Sequence, residues 1–500
     1  MSTFIGIDLG TTFSVVAQFD DTGRPTIIHN DEGSNLTPSC VTIDPDTGSI
    51  EVGEIARRIW GAAPDKAAVR FKRDMGTKVV HRVNEKEFTP TQLSAFVLKK
   101  LGKTAVQMVG PITEAVVTIP ANFSNEARSA TMAAARDAGL NVRHIINEPT
   151  AAAVYYAFKE GAGMDGVYAV YDLGGGTFDI SMIRVAGQDV EVIASNGVAR
   201  LGGDDFDRAL VELVGRKYQR ENGESLEPDL YSLLDSEEDK KSLSRRRRVH
   251  AKVGRTLIEV TREEFEEAIS TLVAQAEMLC ESTIEEAGLD RGEIQEVLLA
   301  GGSTRVPLVL QSVERVFGQE PISTVNVDEV VALGAALYAA YTSAPGSLTA
   351  NQKHAIGRLS LEERTNKCFG TLSIEGQSNP NDLKLRNSIL IPKGTKIPCS
   401  VTESFYTVYD DQRGVDCVLT ESTAPETDPR FVTKVREAKL PLPPDRPKGQ
   451  EIRVTFAYDQ NQIMRCSFED VATGRKTEME VSVAGSSDDM GPGIDAFLVE

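Results

Sequence analysis

Long apolar runs are missing from this 500-residue chain: nowhere do apolar residues continue for the roughly 20 positions that a membrane-spanning helix needs. The start of the chain also lacks the apolar core of a secretory signal, because Asp8 interrupts it a few residues after Met1. Cysteine is scarce: the chain has six, and no two stand in a C-x-x-C spacing. These absences argue against membrane insertion, a disulfide framework and a zinc site, and they predict a cytoplasmic protein with reduced thiols.

Basic residues are outnumbered, since 54 Lys and Arg face 74 Asp and Glu for a formal net charge of −20. Because a nucleic-acid interface needs a basic footprint, no nucleic-acid partner is expected. The basic run Arg245–Arg248 follows the acidic stretch Glu237–Asp239 closely, so it is interpreted as a solvated helix end. Apolar residues make up 41% of the chain, which is ample for the cores of several domains.

Two glycine-rich acidic turns stand far apart in the chain. Both run from apolar strand residues through an Asp and a Leu to glycine and Thr, as I-G-I-D-L-G-T-T at 5–12 and V-Y-D-L-G-G-G-T at 170–177. Glycine lets backbone N–H groups approach phosphate oxygens, whereas a carboxylate needs a cation between itself and phosphate. One such turn alone fits an ordinary hairpin. The duplication predicts a site for a nucleoside triphosphate, with Mg²⁺ held through water near Asp8 and Asp172.

The organisation of the chain changes twice along its length. Alternating strand and helix patterns predict an α/β domain over residues 1–341, built from two related halves. A Pro/Gly/Ser-containing segment then indicates a linker over 342–365. Short strands with alternating apolar residues predict an antiparallel β-sandwich over 366–484. The Ser/Gly/Asp-rich remainder, 485–500, is predicted to be a disordered tail.

Three further segments allow two interpretations each. L-A-G-G-S-T-R-V-P at 299–307 is either a plain strand-to-helix connection or an adenosine contact in which Arg305 stacks on a base. N-E-P-T at 147–150 is either a helix cap or a segment that presents a carboxylate, Glu148, to an attacking water. Lys72 either lies on a solvated face or offsets the charge of a terminal phosphate.

Together these motifs resemble the signatures of the seventy-kilodalton heat-shock chaperone family, the DnaK-like group, from Thr3 to about Val483. The resemblance implies an α/β actin-like two-lobed ATPase domain followed by an all-β sandwich substrate-binding-like domain. It implies ATP and Mg²⁺ as cofactors, with K⁺ as a further candidate. The implied partners are unfolded or extended polypeptide clients, a J-domain protein and a nucleotide exchange factor.

The resemblance also assigns site residues position by position. The implied catalytic residues are Lys72, Glu148, Asp172 and Thr177. The implied nucleotide-binding residues belong to the two phosphate turns, a glycine pair, an E-x-x-K-K-x-x-S adenosine clamp and the third glycine turn with a nearby acid: Asp8, Gly10, Thr11, Thr12, Gly174, Gly175, Gly176, Gly202, Gly203, Glu237, Lys240, Lys241, Ser244, Gly302, Ser303, Arg305 and Asp328. Asp8 and Asp172 are the implied metal contacts, through water.

The β region resembles the peptide-binding sandwich of the family, with two departures. By strand alternation, four side chains face either a bound peptide or the sandwich core: Phe405, Val408, Val415 and Cys417. The helical lid of the family has no counterpart in the 17 residues that follow Val483 here, and the acidic, leucine-rich linker motif is missing. A peptide held by strand pairing and pockets alone is expected to bind weakly and leave quickly. The departures leave coupling to a J-domain protein open.

Three functions are compatible with these features. The first is an ATP-dependent chaperone that hydrolyses ATP to control the binding of extended apolar polypeptide. The second is an ATP-gated scaffold or regulator dedicated to one folded partner. The third is an actin-like small-molecule kinase, which would need a base aimed at a substrate hydroxyl. The resemblance favours the first.

Overall fold

The chain is described by a computed structural model that covers residues 3–160, 164–186, 189–322, 325–357, 359–375, 384–480, 494 and 497–500. It divides into two compact units. Unit 1 comprises residues 1–123, 130–361 and 485–500, and unit 2 comprises residues 124–129 and 362–484. Of the helices in the described ranges, none combines the length and the apolarity needed to cross a membrane.

The first half of unit 1 is built around a mixed sheet. Its strands are β1 (Thr3–Asp8), β2 (Phe13–Phe19), β3 (Pro25–Ile28), β4 (Thr37–Pro38), β5 (Cys40–Ile43), β6 (Ile50–Val52), β7 (Ala67–Val69), β8 (His81–Val83), β9 (Lys86–Phe88), β10 (Ile112–Ile119) and β11 (Val142–Asn147). Its helices are α1 (Glu54–Ala62), α2 (Pro90–Val109), α3 (Asn125–Asp137) and α4 (Glu148–Glu160). The main sheet has the order β11-β10-β1-β2-β3, and β6-β5-β7 and β8-β9 form two smaller sheets.

The second half repeats this arrangement. Its strands are β12 (Gly166–Leu173), β13 (Phe178–Ala186), β14 (Asp189–Val198), β15 (Arg248–Val253), β16 (Thr256–Thr261) and β17 (Ile294–Ala300), and its helices are α5 (Gly203–Asn222), α6 (Leu233–Leu243), α7 (Arg262–Glu286) and α8 (Pro307–Phe317). Strands β12, β13 and β14 form an antiparallel meander with β17 parallel to β12, as β1, β2 and β3 do with β10. Each half therefore places its glycine turn between the first two strands of a meander.

Helix α9 (Val330–Tyr341) joins the two halves by packing on α4 and on the first main sheet. The approach is very close, because a Cβ added at Gly334 would lie only 1.8 Å from the carbonyl oxygen of Ala151 in α4. One added at Gly6 in β1 would lie 2.1 Å from the backbone nitrogen of Ala336 in α9. Buried side chains from both halves share one apolar core around these helices.

The segment predicted as a linker, 342–365, contains helix α10 (Ala350–Ile356), and unit 1 continues to Leu361. The amide of Gln352 is completely buried, and it donates hydrogen bonds to the carbonyl oxygens of Phe19 and Asp20. These contacts attach α10 to the loop that follows β2.

The described part of residues 362–484 in unit 2 is all-β, and unit 2 also includes the start of α3. Its strands are β18 (Ser360–Arg364), β19 (Cys368–Glu375), β20 (Lys384–Ile391), β21 (Lys396–Ile397), β22 (Cys399–Tyr406), β23 (Gly414–Ser422), β24 (Thr433–Pro441), β25 (Glu451–Tyr458), β26 (Met464–Asp470) and β27 (Arg475–Glu480). Two antiparallel four-stranded sheets have the orders β20-β19-β23-β24 and β22-β25-β26-β27. Their inner faces share one core, to which Leu419 contributes from the first sheet and Phe456 from the second.

Most of the segment predicted as a disordered tail, 485–500, lies outside the described residues. The described residues at its end have defined contacts, and Ile494 and Val499 are buried with 5% and 4% exposure. For these residues the prediction of disorder is corrected: apolar side chains that find a surface to cover are removed from water.

Candidate functional site

A cavity of about 540 Å³ lies in unit 1 where the two glycine turns meet. Residues of both turns line it, together with Lys72, Glu148, part of helix α6 and the third glycine turn. Cavities of roughly 300–1,000 Å³ are typical of small-molecule and cofactor sites. The cavity is therefore large enough for a nucleotide.

The two phosphate turns touch each other at their glycine positions. A Cβ on Gly175 would lie 2.0 Å from Oγ1 of Thr12, and one on Gly176 would lie 2.4 Å from Cγ2 of Thr11. A side chain at either glycine would force the two turns apart. The glycine run thus allows the two halves of unit 1 to meet, besides exposing backbone N–H groups.

The start of helix α5 fixes the second turn. The N–H of Gly203 donates to the carbonyl oxygen of Gly174 at 3.0 Å, and the N–H of Asp204 donates to that of Gly175 at 2.8 Å. The first N–H groups of a helix lack partners inside the helix, so these bonds satisfy donors and shape the turn at once. Ser303 adds a third bond, from its Oγ to the oxygen of Gly174 at 2.8 Å.

Lys72 and Glu148 form a buried ion pair at the cavity wall. Their Nζ and Oε1 atoms are 2.5 Å apart, and the side chains are 4% and 8% exposed. Lys72 lies in a short 3₁₀ turn, Phe71–Asp74, and Glu148 begins helix α4, where the helix dipole favours a negative charge. Burial alone would lower the pKa of Lys72, but the charges of Glu148 and Asp8 outweigh burial and raise the pKa. The amine therefore stays protonated.

Three carboxyls around this pair have raised pKa values, of which Asp172 and Asp179 are buried and Asp8 is half-buried. Burial, followed by the charge of Glu148, raises the pKa of Asp8 to about 7 and that of Asp179 to about 8. The same two causes raise the pKa of Asp172 well above its usual range. Lys72 opposes these shifts but does not cancel them. A site with this excess of buried negative charge fits Mg²⁺, which takes one or two carboxylates plus phosphate and water oxygens.

Helix α6 presents a charged cluster to the other end of the cavity. Glu237 accepts from Arg57 at 2.9 Å and pairs with Lys241 at 2.8 Å. Both cations lie over the ring of Phe13, with centroid distances of 5.1 and 5.7 Å. Lys240 pairs with Asp207 at 2.8 Å, so the lysines of the predicted clamp are held by carboxylates.

The third glycine turn lies at the same end. Arg305 pairs with Asp328 at 2.7 Å and donates to Oδ1 of Asn326 at 3.1 Å. These two bonds orient the plane of the guanidinium, which is the property that stacking on an aromatic base requires.

The structure brings almost all of the predicted nucleotide-site residues to one cavity. Gly176 and Gly202 do not line it. Gly176 contacts the first turn, and a Cβ on Gly202 would lie 2.6 Å from the oxygen of Gly175, so both act through close backbone packing.

Several residues at the site were missed by the sequence analysis. They are Phe13, Arg57, Asp179, Asp204 and Asp207. The G-G-D-D-F-D sequence at 202–207 was an available signal, because an acid-rich helix start beside a glycine pair suits a site with cations. The position of Arg57 depends on a contact with α6 that no local pattern indicates.

In unit 2 the four predicted peptide-facing residues separate into two groups. Cys417 is completely buried in the sandwich core, so for this residue the core interpretation is correct. Phe405 and Val415 are half-buried at the edge of that core. Val408 is half-buried and follows the end of β22, where its N–H donates to Oε1 of Gln412 at 3.0 Å.

The raised pKa of Asp179 predicts a pH-dependent effect of Asp179→Asn. The carboxyl has a pKa of about 8 in the folded chain against 3.8 ordinarily, so its ionisation opposes folding as pH rises from about 4 to 8. The neutral amide avoids this cost. We expect Asp179→Asn to gain stability over the parent chain between pH 5 and pH 8 by at least about 1.4 kcal/mol, the value of one pKa unit. Urea unfolding in EDTA measures the difference.

Asp428→Asn is the matched control for this measurement. The Asp428 carboxylate is exposed, and Arg430 lowers its pKa to about 2. Asp428→Asn should therefore gain no stability relative to the parent chain between pH 5 and pH 8. If the stability difference between Asp179→Asn and the parent chain is the same at pH 5 and pH 8, Asp179 is not a buried, protonated carboxyl.

Comparisons with known proteins identify the family of the chain. The family model described as Hsp70 protein matches residues 4–85 and 77–491. The chain is 37% identical over 496 residues to proteins named "Chaperone protein DnaK" from Thermotoga neapolitana and Thermotoga maritima, an alignment that covers 96% of this chain and 80% of each relative. The match extends over both units and includes the two phosphate turns. The chain belongs to the Hsp70 family.

Proposed function

We propose that this chain is an ATP-dependent molecular chaperone of the DnaK-like type, which hydrolyses ATP to ADP and phosphate to control the binding of extended apolar polypeptide. The observation that carries the proposal is the cavity in which both glycine turns meet the buried Lys72–Glu148 pair. The membership of the family supports an actin-like ATPase in unit 1 and a substrate-binding sandwich in unit 2.

At the phosphate end, the two turns would bind the triphosphate. The backbone N–H groups of Gly10 and of the Gly174–Gly176 run, with the hydroxyls of Thr11, Thr12 and Thr177, are the donors. The protonated amine of Lys72 would offset the charge that spreads over the transferred phosphoryl group, because phosphoryl transfer depends mainly on positioning and electrostatics. The ion pair with Glu148 holds that amine in place.

Glu148 and Asp172 would position the attacking water. In their ionised forms, these carboxylates could accept a hydrogen bond or a proton from that water. When bound, Mg²⁺ would neutralise phosphate charge and favour the ionised forms of Asp8 and Asp172, through water. K⁺ as an additional cation stays a prediction.

At the adenosine end, two groups would enclose the nucleoside. Helix α6 and the residue after it supply Glu237, Lys240, Lys241 and Ser244. The opposite group consists of Gly302, Ser303, Arg305 and Asp328. Gly203, at the start of α5, lies between the two groups. The guanidinium that Asp328 holds is proposed to stack on the adenine.

The sandwich would bind an extended apolar peptide beside Phe405, Val408 and Val415. Main-chain hydrogen bonds would supply affinity, and pockets for alternate side chains would supply selectivity. Nucleotide state and peptide affinity would be linked by a coupling free energy of typically ~1–3 kcal/mol. Partners of the J-domain and exchange-factor types stay predictions.

The proposed role of Lys72 predicts the effect of Lys72→Ala. Without the amine, nothing else at that position offsets the phosphoryl charge, so single-turnover hydrolysis should fall at least about 100-fold. Binding of ATP should change little, because the turns and the adenosine contacts remain. Rapid-mixing hydrolysis and equilibrium ATP binding measure the two effects. Lys78→Ala, at an exposed position six residues further on, is the control and should hydrolyse normally. Normal hydrolysis by Lys72→Ala would remove this residue from the mechanism.

The coupling between the two activities predicts an effect of peptide on nucleotide. Saturating apolar heptapeptide should change the affinity for ATP by roughly 5-fold to 150-fold, and ATP should change the affinity for the peptide by the same factor. Two fluorescence titrations measure these factors: ATP binding with and without peptide, and peptide binding with and without ATP. If none of a library of apolar heptapeptides binds while ATP is still hydrolysed, the function is instead that of a nucleotide-gated scaffold for a folded partner.

A further inference from the structure

The end of the chain pairs with an edge strand of unit 1 through an isolated β-bridge, at residues that do not line the nucleotide cavity. The N–H of Ile50 donates to the carbonyl oxygen of Leu498 at 2.8 Å, and the N–H of Glu500 donates to that of Ile50 at 2.9 Å. Val499 pairs in parallel with Ile50. Since β6 is the edge strand of the β6-β5-β7 sheet, the contact has the form of strand addition, a recurring mode of peptide recognition.

Aromatic side chains anchor the added strand. The ring of Phe497 meets those of Phe88 and Phe96 edge-on, with centroids 5.8 and 5.7 Å apart. Nζ of Lys86 lies 5.2 Å from the centre of the Phe497 ring. Such aromatic pairs contribute beyond the area that they bury. Side chains alternate along the segment as a strand requires, because Val499 is 4% exposed and Leu498 is 64% exposed.

Carboxylates at the same place oppose this docking. Glu51 in β6 faces Glu500, and burial together with the Glu500 charge raises the pKa of Glu51. Lys100 in α2 lowers that pKa, and Nζ of the neighbouring Lys103 donates to the oxygen of Val499 at 3.4 Å. The lysines therefore attract the end of the chain while the Glu51 carboxylate repels it. This balance suits a segment that docks reversibly.

We infer that the β6 edge and the neighbouring rings of Phe88 and Phe96 form a peptide-docking site, and that the chain's own residues 497–500 occupy it reversibly. The site takes a short segment with an aromatic residue two positions before a buried β-branched residue.

Hydrogen–deuterium exchange of the full chain tests the docking. Phe497→Ala removes the anchor and should increase the exchange rate of the Ile50 amide at least about tenfold. Leu498→Ala is the matched control: it truncates the neighbouring, exposed side chain and keeps the backbone carbonyl, so the rate should stay within about twofold of the parent chain. Glu51→Gln removes one of the two facing carboxylates and should slow the exchange. Neither nucleotide nor client takes part, so the outcome is independent of the proposed ATPase.

Binding in trans tests whether the surface is a site for peptide. A fluorescent peptide with the sequence of residues 490–500 should bind the Phe497→Ala chain at least about tenfold more tightly than the parent chain, whose own segment competes. The same peptide with its Phe replaced by Ala should bind neither the parent chain nor the Phe497→Ala chain. The inference is overturned if the Ile50 amide of the parent chain exchanges at the unprotected rate. It is also overturned if Leu498→Ala loosens the contact as much as Phe497→Ala, or if the peptide binds both chains equally.

Discussion

The direct contact between the two glycine turns is the constraint on which the rest of unit 1 depends. Gly175 and Gly176 lie so close to Thr12 and Thr11 that neither glycine has room for a Cβ. Each turn joins the first two strands of a meander, so the contact fixes one half of unit 1 against the other. The carbonyl oxygens of the second turn are in turn bound by the N–H groups of α5. One backbone contact therefore sets the geometry of the whole cavity.

A charge imbalance follows from this contact. Asp8 and Asp172 leave their strands at the turns, and Glu148 begins a helix beside them, so three carboxyls share a small buried volume with Lys72. The pKa values of Asp8 and Asp172 are raised by burial and by the charge of Glu148, so the protein alone disfavours the anionic forms of these two carboxyls. A ligand that brings a divalent cation and accepts hydrogen bonds from the turns completes the site. This charge imbalance is the physical argument for the proposed magnesium-bound triphosphate.

The amino-acid sequence predicted the parts of this architecture that local chemistry encodes. The Asp-Leu-Gly order of the turns, the helix start at Glu148 and the strands on either side of each turn all have strong local signals. Strand β24 was harder to identify, because the charged residues of T-K-V-R-E-A-K-L-P at 433–441 obscure its alternation. Helix α10 was hidden by linker-like composition, although T-A-N-Q at 349–352 forms a capping box and was an available local signal. The buried amide of Gln352 also attaches the helix to the end of β2, which no local pattern indicates.

Residue positions that depend on long-range packing could not be predicted from local sequence patterns. Strand alternation left Cys417 open between a peptide cleft and the core, and only the facing sheet decides that it is buried. Residues 497–500 were predicted as part of a disordered tail, because Ile50, the partner of Val499, is remote in the chain.

Isothermal titration calorimetry with a non-hydrolysable ATP analogue tests the central claim most directly. With Mg²⁺ present, the parent chain should bind the analogue at least about tenfold more tightly than in EDTA, because the cation joins the phosphates to the carboxylates of the two turns. In Asp8→Asn that difference should be lost while weak, metal-independent binding remains. If the parent chain gives no binding heat, or binds equally well with and without Mg²⁺, the two acidic turns do not form a magnesium–nucleotide site.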